Sequence, residues 1–402
     1  MPWYPAPGRR RFCLSALALL ARPGLAAAGD NAILVNAALA GRMRDAIRND
    51  SAFRAAADRV RANADAALRV GPWSVTNHRP DHVQAGPHDY YSEGPYWWPD
   101  PKNPTGPYIR KDGERNPGRF MGNRSDLGEM CTAVLALGMG AWLLGERRYA
   151  DRAATVLSVW FLDAKTRMNP HLEFGQAVRG INTGRGTGII DTVSLIHVTQ
   201  GIRLLELAEA FEGRIGEGLR GWFAGYLRWM TTSAKGLDEK KATNNHATWW
   251  TAQAAAYATL VGDQSTQAMA WDYYRGYLAP TEIRPDGSCP REEARTDSLG
   301  YSSMNLDGFS VLCRIAEQNG VNLWSAVKKA CLYLMPFVEH PETWHKQQIA
   351  KYSADGVIFP GLAGVGLHSA RLLEGYRSLA RSRSPWVQFV DLVVRTAAKP
   401  GD

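Results

Sequence analysis

Ala247-Thr248-Trp249-Trp250-Thr251-Ala252-Gln253-Ala254-Ala255-Ala256-Tyr257-Ala258-Thr259-Leu260-Val261 decides the fold class. Alanine is the strongest helix former, and Trp250, Ala254, Tyr257 and Val261 fall three or four residues apart, as one face of a helix requires. Segments of the same kind recur from Asp126 to Leu144, Ile189 to Phe211 and Asp307 to Asn319. Counted this way the chain carries about twelve candidate helices, and strand-like alternation is scarce. Successive helical hairpins point to an all-α, single-domain (α/α) toroid or a solenoid. No repeat of fixed period is present, which argues against a regular solenoid.

The chain has 402 residues, 45% of them hydrophobic, enough for a substantial core and too many for disorder. Arg9, Arg10 and Arg11 precede an apolar run from Phe12 to Ala21, and Ala26-Ala27-Ala28 offers a small-residue cleavage site. Residues 1–28 therefore read as an export signal, and 29–402 as the mature domain. Arg9-Arg10-Arg11-Phe12 also resembles a twin-arginine signal, so the general and folded-state routes both stay open, each ending in a periplasmic or secreted protein. The apolar run is too short to span a bilayer, and no stable membrane insertion is expected. Cleavage removes four arginines and no acids, lowering the formal net charge from +8 to +4. That balance suits an anionic partner, and no nucleic-acid motif accompanies it. Cys131, Cys289, Cys313 and Cys331 remain, at spacings that match no zinc site. Cys131, Cys313 and Cys331 lie in apolar helical surroundings and read as small buried hydrophobes.

Two connectors stand out. The first, Gly71 to Arg124, contains Tyr90, Tyr91, Trp97 and Trp98 in a run too rich in proline and glycine for a helix. So many large aromatics predict an ordered loop over the helical core, with flat faces available to sugar rings. The second, Asn169 to Gly188, carries His171, Gln176 and Arg185, donors suited to carboxylates and hydroxyls.

Asn244, Asn245 and His246 stand where the helix of the opening stretch begins. Asparagine is a good N-cap, and the positive end of a helix favours an anion. Downstream, Pro285-Asp286-Gly287 marks a turn. The charged run Arg291-Glu292-Glu293-Ala294-Arg295 follows and leads to Tyr301.

An Asn-Asn-His cluster at a helix start, followed by an Arg and a Tyr, resembles the alginate lyase superfamily, which includes polysaccharide lyase family five. The Tyr96-Trp97-Trp98-Pro99-Asp100-Pro101 run, Asn182 to Gly186, and Arg291-Glu292 to Tyr301 resemble family thirty-eight more closely. The resemblance spans Pro72 to Gly366. It implies cleavage of a 1,4-linked polyuronate, alginate or glucuronan, by β-elimination, with no metal or other cofactor. Three tasks follow: neutralising the carboxylate, removing the C5 proton and protonating O4. By the resemblance, Asn245 and Arg295 hold the carboxylate. Tyr301, its pKa lowered by Arg295, is base and then acid where the proton and O4 share a face, and His246 is the base where they do not. Asn244, Tyr90, Tyr91, Trp97, Trp98, His171, Gln176, Arg185 and Glu292 are expected to line the substrate subsites.

Two rivals remain at this stage. A glycoside hydrolase on the same fold needs two separated carboxylates, whereas Glu292, Glu293 and Asp297 crowd into one segment. A non-catalytic periplasmic acidic-sugar-binding protein explains the aromatics but has no use for His246 or Tyr301. Which polyuronate is taken, and the oligomeric state, are not legible.

Overall fold

The periodic segments are helices in a computed structural model of the chain, which describes residues 33–80, 83–211 and 214–398. The export signal read at residues 1–28 lies outside these. The first third contributes α1 (Ala37–Asn49), α2 (Arg54–Leu68), α3 (Gly122–Met139) and α4 (Arg147–Leu157). The middle contributes α5 (Leu195–Leu207), α6 (Ile215–Thr232), α7 (Ala234–Lys240), α8 (Asn245–Val261) and α9 (Gln264–Tyr273). The last part contributes α10 (Ala279–Glu282), α11 (Pro290–Glu293), α12 (Ser298–Gln318), α13 (Trp324–Glu339), α14 (Phe359–Gly366), α15 (Ala370–Ser378) and α16 (Pro385–Ala397).

Their packing closes a ring. Helix α3 lies against α5, α5 against α8, α8 against α12, α12 against α14, α14 against α16, and α16 returns to α3. Outside it, α2 and α4 back α3, α6 and α9 back α8, α13 backs α12 and α15 backs α14. This is the (α/α) toroid that the helical hairpins imply.

Position in the ring explains composition. Every residue of α8 from Ala247 to Leu260 is buried, because helices press on it from all sides. Alanine lets them approach closely, and Trp250 fills the wider gaps; burying an apolar side chain of that size contributes about 3 kcal/mol. The polar residues inside are paired: Gln253 Oε1 accepts from Thr192 Oγ1 at 2.8 Å and from Tyr257 Oη at 2.9 Å. Helix α8 stops at Gly262, whose φ of +77° suits glycine, and the Gly262 N–H closes onto Ala258 O. The span Gly122–Leu144, long and apolar enough to cross a membrane, is mostly buried in this core. Cys131, Cys289, Cys313 and Cys331 are all buried and free.

The connectors contain short strands that the sequence did not announce: β1 (Tyr91–Glu93), β2 (Trp97–Trp98), β3 (Ile109–Arg110) and β4 (Phe174–Ala177). Strand β1 pairs in parallel with β4, joining the two connectors, and β2 pairs antiparallel with β3. Beneath them sits Asp191, only 7% exposed. Its carboxylate accepts from Ser92 Oγ at 2.6 Å, Gln176 Nε2 at 3.0 Å and Tyr90 Oη at 3.2 Å. One buried acid thus pins both loops to the ring.

Candidate active site

The site is built where α7 turns into α8. Ser233 caps α7 by accepting from Gly236 N at 3.0 Å, and residues 241–244 reverse the chain so that Asn245 opens α8. Asn244 occupies the cap position, but its side chain makes no capping bond. Glu292 of α11 supplies the cap instead, accepting from Asn245 N at 2.6 Å and from Asn245 Nδ2 at 2.8 and 2.9 Å. Burial pushes the Glu292 carboxyl above its ordinary range, and the Asn245 donors pull against that rise. Glu292 was expected to touch substrate; at 1% exposure, with both oxygens occupied, it fixes the Asn245 amide from behind.

His246 Nδ1 lies 2.6 Å from Glu239 Oε1. Glu239, on α7, is 2% exposed, and its second oxygen is buried with no hydrogen-bond partner. Burial pushes its carboxyl up, and the adjacent imidazole opposes the rise. With Glu239 ionised, Nδ1 carries the proton and Nε2 is left as the basic nitrogen.

Arg295 clamps Asp112 with both sides of its fork, Nε at 3.0 Å and Nη2 at 2.8 Å. Burial opposes the Asp112 charge, but these bonds hold its carboxyl down at about 2. The fork expected to grip a substrate carboxylate is therefore taken up by Asp112. The guanidinium carbon lies 3.7 Å from the centre of the Tyr301 ring. The Tyr301 hydroxyl meets that of Tyr96, from the aromatic run. Burial first, then the Tyr96 hydrogen bond, push the phenol above its ordinary value, and Arg295 pulls it down by less. The net direction is opposite to the expected lowering. Glu292 feels the charges of both Arg295 and His246, so Asn245, His246, Arg295 and Tyr301 share one centre.

The remaining expected contacts divide. Tyr90 and Tyr91 are buried, their hydroxyls given to Asp191 and to Glu93 at 3.1 Å; they anchor the loop and offer no ring face to a sugar. Gln176 is likewise buried, bridging Asp191 and Arg185 Nη2, the latter at 2.8 Å. His171 is held by Asp89 at 3.2 Å. Trp97 and Trp98 are half-buried, with Arg185 over the first ring at 5.7 Å and Lys111 over the second at 4.9 Å. Arg185 feels the Glu239 charge, which puts it beside the His246 pair, and its Nε is buried without a partner. Its place depends on Gly186, where a Cβ would stand 2.7 Å from Lys235 O of α7. Among the described residues no cluster of His, Cys, Asp or Glu is placed to hold a metal ion.

The family model for alginate lyases matches residues 74–344, a span that contains every member of this centre. The chain belongs to the alginate lyase family. It is similar to the crystal structure of an alginate lyase from Bacteroides ovatus, at 32% identity over 91% of this chain and 99% of that one, with a TM-score of 0.84. It shares its fold with alginate lyase A1-III from Sphingomonas species A1, at 16% identity over 90% of this chain and 95% of that one, TM-score 0.52. An A1-III variant complexed with a tetrasaccharide matches at 16% identity over 93% of this chain and 99% of that one, TM-score 0.56. A comparison with curated proteins finds no match. As a member of the alginate lyase family the protein is a polysaccharide lyase, which removes the hydrolase and the non-catalytic binder as readings.

Sequence reasoning passed over Tyr96, Asp112 and Glu239 of this alginate lyase family site. Glu239 left a faint signal, an acid seven residues before His246 on an adjoining helix. Asp112 left none, standing 183 residues from Arg295.

Proposed function

We propose that the protein cleaves a 1,4-linked polyuronate, polymannuronate or glucuronan, by β-elimination, with Tyr301 at the reacting bond. The observation that carries this reading is Tyr301, with the Arg295 guanidinium 3.7 Å from its ring centre and that same guanidinium acting on Glu292, which holds the Asn245 amide. The uronate carboxylate lies at the positive end of α8, where the Asn245 amide, oriented by Glu292, meets the charge that grows on it. Tyr301, as its anion, takes the C5 proton; the electron pair forms the C4=C5 double bond, the C4–O4 bond breaks, and Tyr301 returns the proton to O4. Arg295 favours the anion that begins the cycle. On a uronate whose C5 proton lies opposite O4, Nε2 of His246 is the base and Tyr301 the acid. We further propose that residues 1–28 act as an export signal cleaved before Gly29, so that the lyase works in the periplasm or outside the cell; the basic run Arg9 to Arg11, the apolar run after it and Ala26-Ala27-Ala28 support this reading.

Purified protein is to be incubated with polymannuronate, polyguluronate and glucuronan, following ultraviolet absorbance of the unsaturated product. Absorbance is expected to rise with polymannuronate or glucuronan. Chain shortening without absorbance would sink the elimination. Tyr96 gives a second test, because its hydroxyl helps hold Tyr301 protonated. In Tyr96→Phe the Tyr301 pKa falls, so the rise of kcat with pH, which follows formation of the anion, moves to lower pH. A limb that stays in place, or moves up, counts against Tyr301 as the base.

A further inference from the structure

A cavity of about 600 Å³ lies between residues 274–285 and the start of α13, a size that small-ligand sites commonly have. None of Asn245, His246, Arg295 and Tyr301 lines it. It belongs to the outer wall, because α9 backs α8 and α13 backs α12. Glu282 of α10 turns inward instead, its carboxylate accepting from Thr248 Oγ1 of α8 and Asn305 Nδ2 of α12, both at 2.9 Å. Ile283, Leu323 and Ala326 give the cavity apolar surface, while Arg275, Arg284 and Lys329 line it as exposed cations, and no acid does. The cations come from three segments: the continuation of α9, the turn after α10, and α13. The Arg284 side chain makes no hydrogen bond or ion pair among the described residues. Lys329 Nζ donates to Pro285 O at 3.1 Å, and Arg275 has Asp272 at 3.5 Å, an exposed pair that contributes little. Asp286, which Arg284 acts on, is spent within its own turn, accepting from Ser288 N at 2.9 Å and Ser288 Oγ at 2.7 Å. The walls are fixed to each other. Tyr274 Oη donates to Leu323 O at 2.8 Å, and Gly287, at a φ of +96°, seats the Pro285-Asp286-Gly287 turn so close to α13 that a Cβ would stand 2.6 Å from Lys329 O.

We propose that this cavity is an accessory binding site, outside the catalytic cleft, for a short stretch of anionic polysaccharide. The choice of a polyuronate as its occupant rests on the reading of the substrate given above. Apolar surface meets the C–H faces of sugar rings, and exposed cations with no buried acid to satisfy are free to turn to carboxylates. A neutral glycan would leave those charges unused, and a compact anion such as phosphate would leave the apolar surface bare. Holding one stretch of a polymer on the wall raises the local concentration of the rest, so the site favours long chains over short ones without altering the chemistry in the cleft.

Two variants test it in the full-length protein: Arg284→Gln with Lys329→Gln, which removes charge, and Ala326→Trp, which fills the cavity and keeps the charge. All three side chains are exposed, so the fold tolerates both changes. Calorimetry with 1,4-linked mannuronate and glucuronate tetramers is run on Tyr301→Phe, which does not consume them. Two tetramers are expected per chain, and one when either cavity variant is added. With Tyr301 restored, either variant is expected to raise KM on the polymer about tenfold, while kcat and the KM for the tetramer stay within about twofold of the parent. One tetramer per chain throughout, or an unchanged KM on the polymer, overturns the site. So does an Ala326→Trp protein that keeps both tetramers, because charge alone would then be drawing the polymer. If two tetramers bind, the variants remove one and the parent never forms unsaturated product, the accessory site stands and the elimination falls. Unsaturated product from a chain that binds a single tetramer has the reverse meaning.

Discussion

Tyr301→Phe is expected to lower kcat by about a thousandfold or more while the protein still binds its polyuronate, because one hydroxyl performs both proton transfers of the proposed elimination. The ring that remains keeps its packing under Arg295 and its place on α12, so the fold and the carboxylate contacts survive. What disappears is the oxygen that meets Tyr96 and, with substrate present, the C5 proton and O4. Single-turnover rates followed by ultraviolet absorbance, with calorimetric binding alongside, separate the two effects. Loss of binding in step with loss of rate would show that the hydroxyl only grips the sugar. A rate within tenfold of the parent would remove Tyr301 from the chemistry, leaving His246 with its Glu239 partner as the group to examine.

That assignment draws on both local and distant information, and the two were unequally legible. Helices α8 and α12 could be read because burial on one or all sides leaves its period in a short window of chain. The Asn245-His246 pair was visible as the neighbour of a recognisable helix start, whereas Tyr301 stood out only through the resemblance to the family, because the periodic signal of α12 began at Asp307. Long-range pairing leaves no such trace. Nothing near Asp112 announces that it holds Arg295, and Tyr96 stands in a run where every aromatic looked equally available to a sugar. Tyr90 and Tyr91 show the ambiguity directly: aromatic content predicted an ordered loop, but which rings face inward depends on Asp191 and Glu93, and no pattern in the sequence points to those partners. Glu292 was noticed for its charge, and only burial reveals that the charge faces the protein.

Glu292 is therefore where the second large effect is expected. Its carboxylate receives the Asn245 backbone N–H and side-chain amide, so both ends of that residue are set by one buried acid. Glu292→Gln keeps the volume but puts an amide donor against the Asn245 donors, at a cost of about 1–3 kcal/mol; Glu292→Ala leaves them unpaired and adds a cavity, so its loss of stability is larger. The effect on turnover is separate. An Asn245 amide displaced by about an ångström no longer meets the charge developing on the substrate carboxylate, and kcat is expected to fall about a hundredfold in the glutamine variant at temperatures where it remains folded. Urea unfolding gives the stability term, and kcat measured well below the transition gives the positioning term. A folded Glu292→Gln with the parent's kcat would mean that Asn245 is placed by the start of α8 alone, and that the buried acid serves stability without serving the reaction.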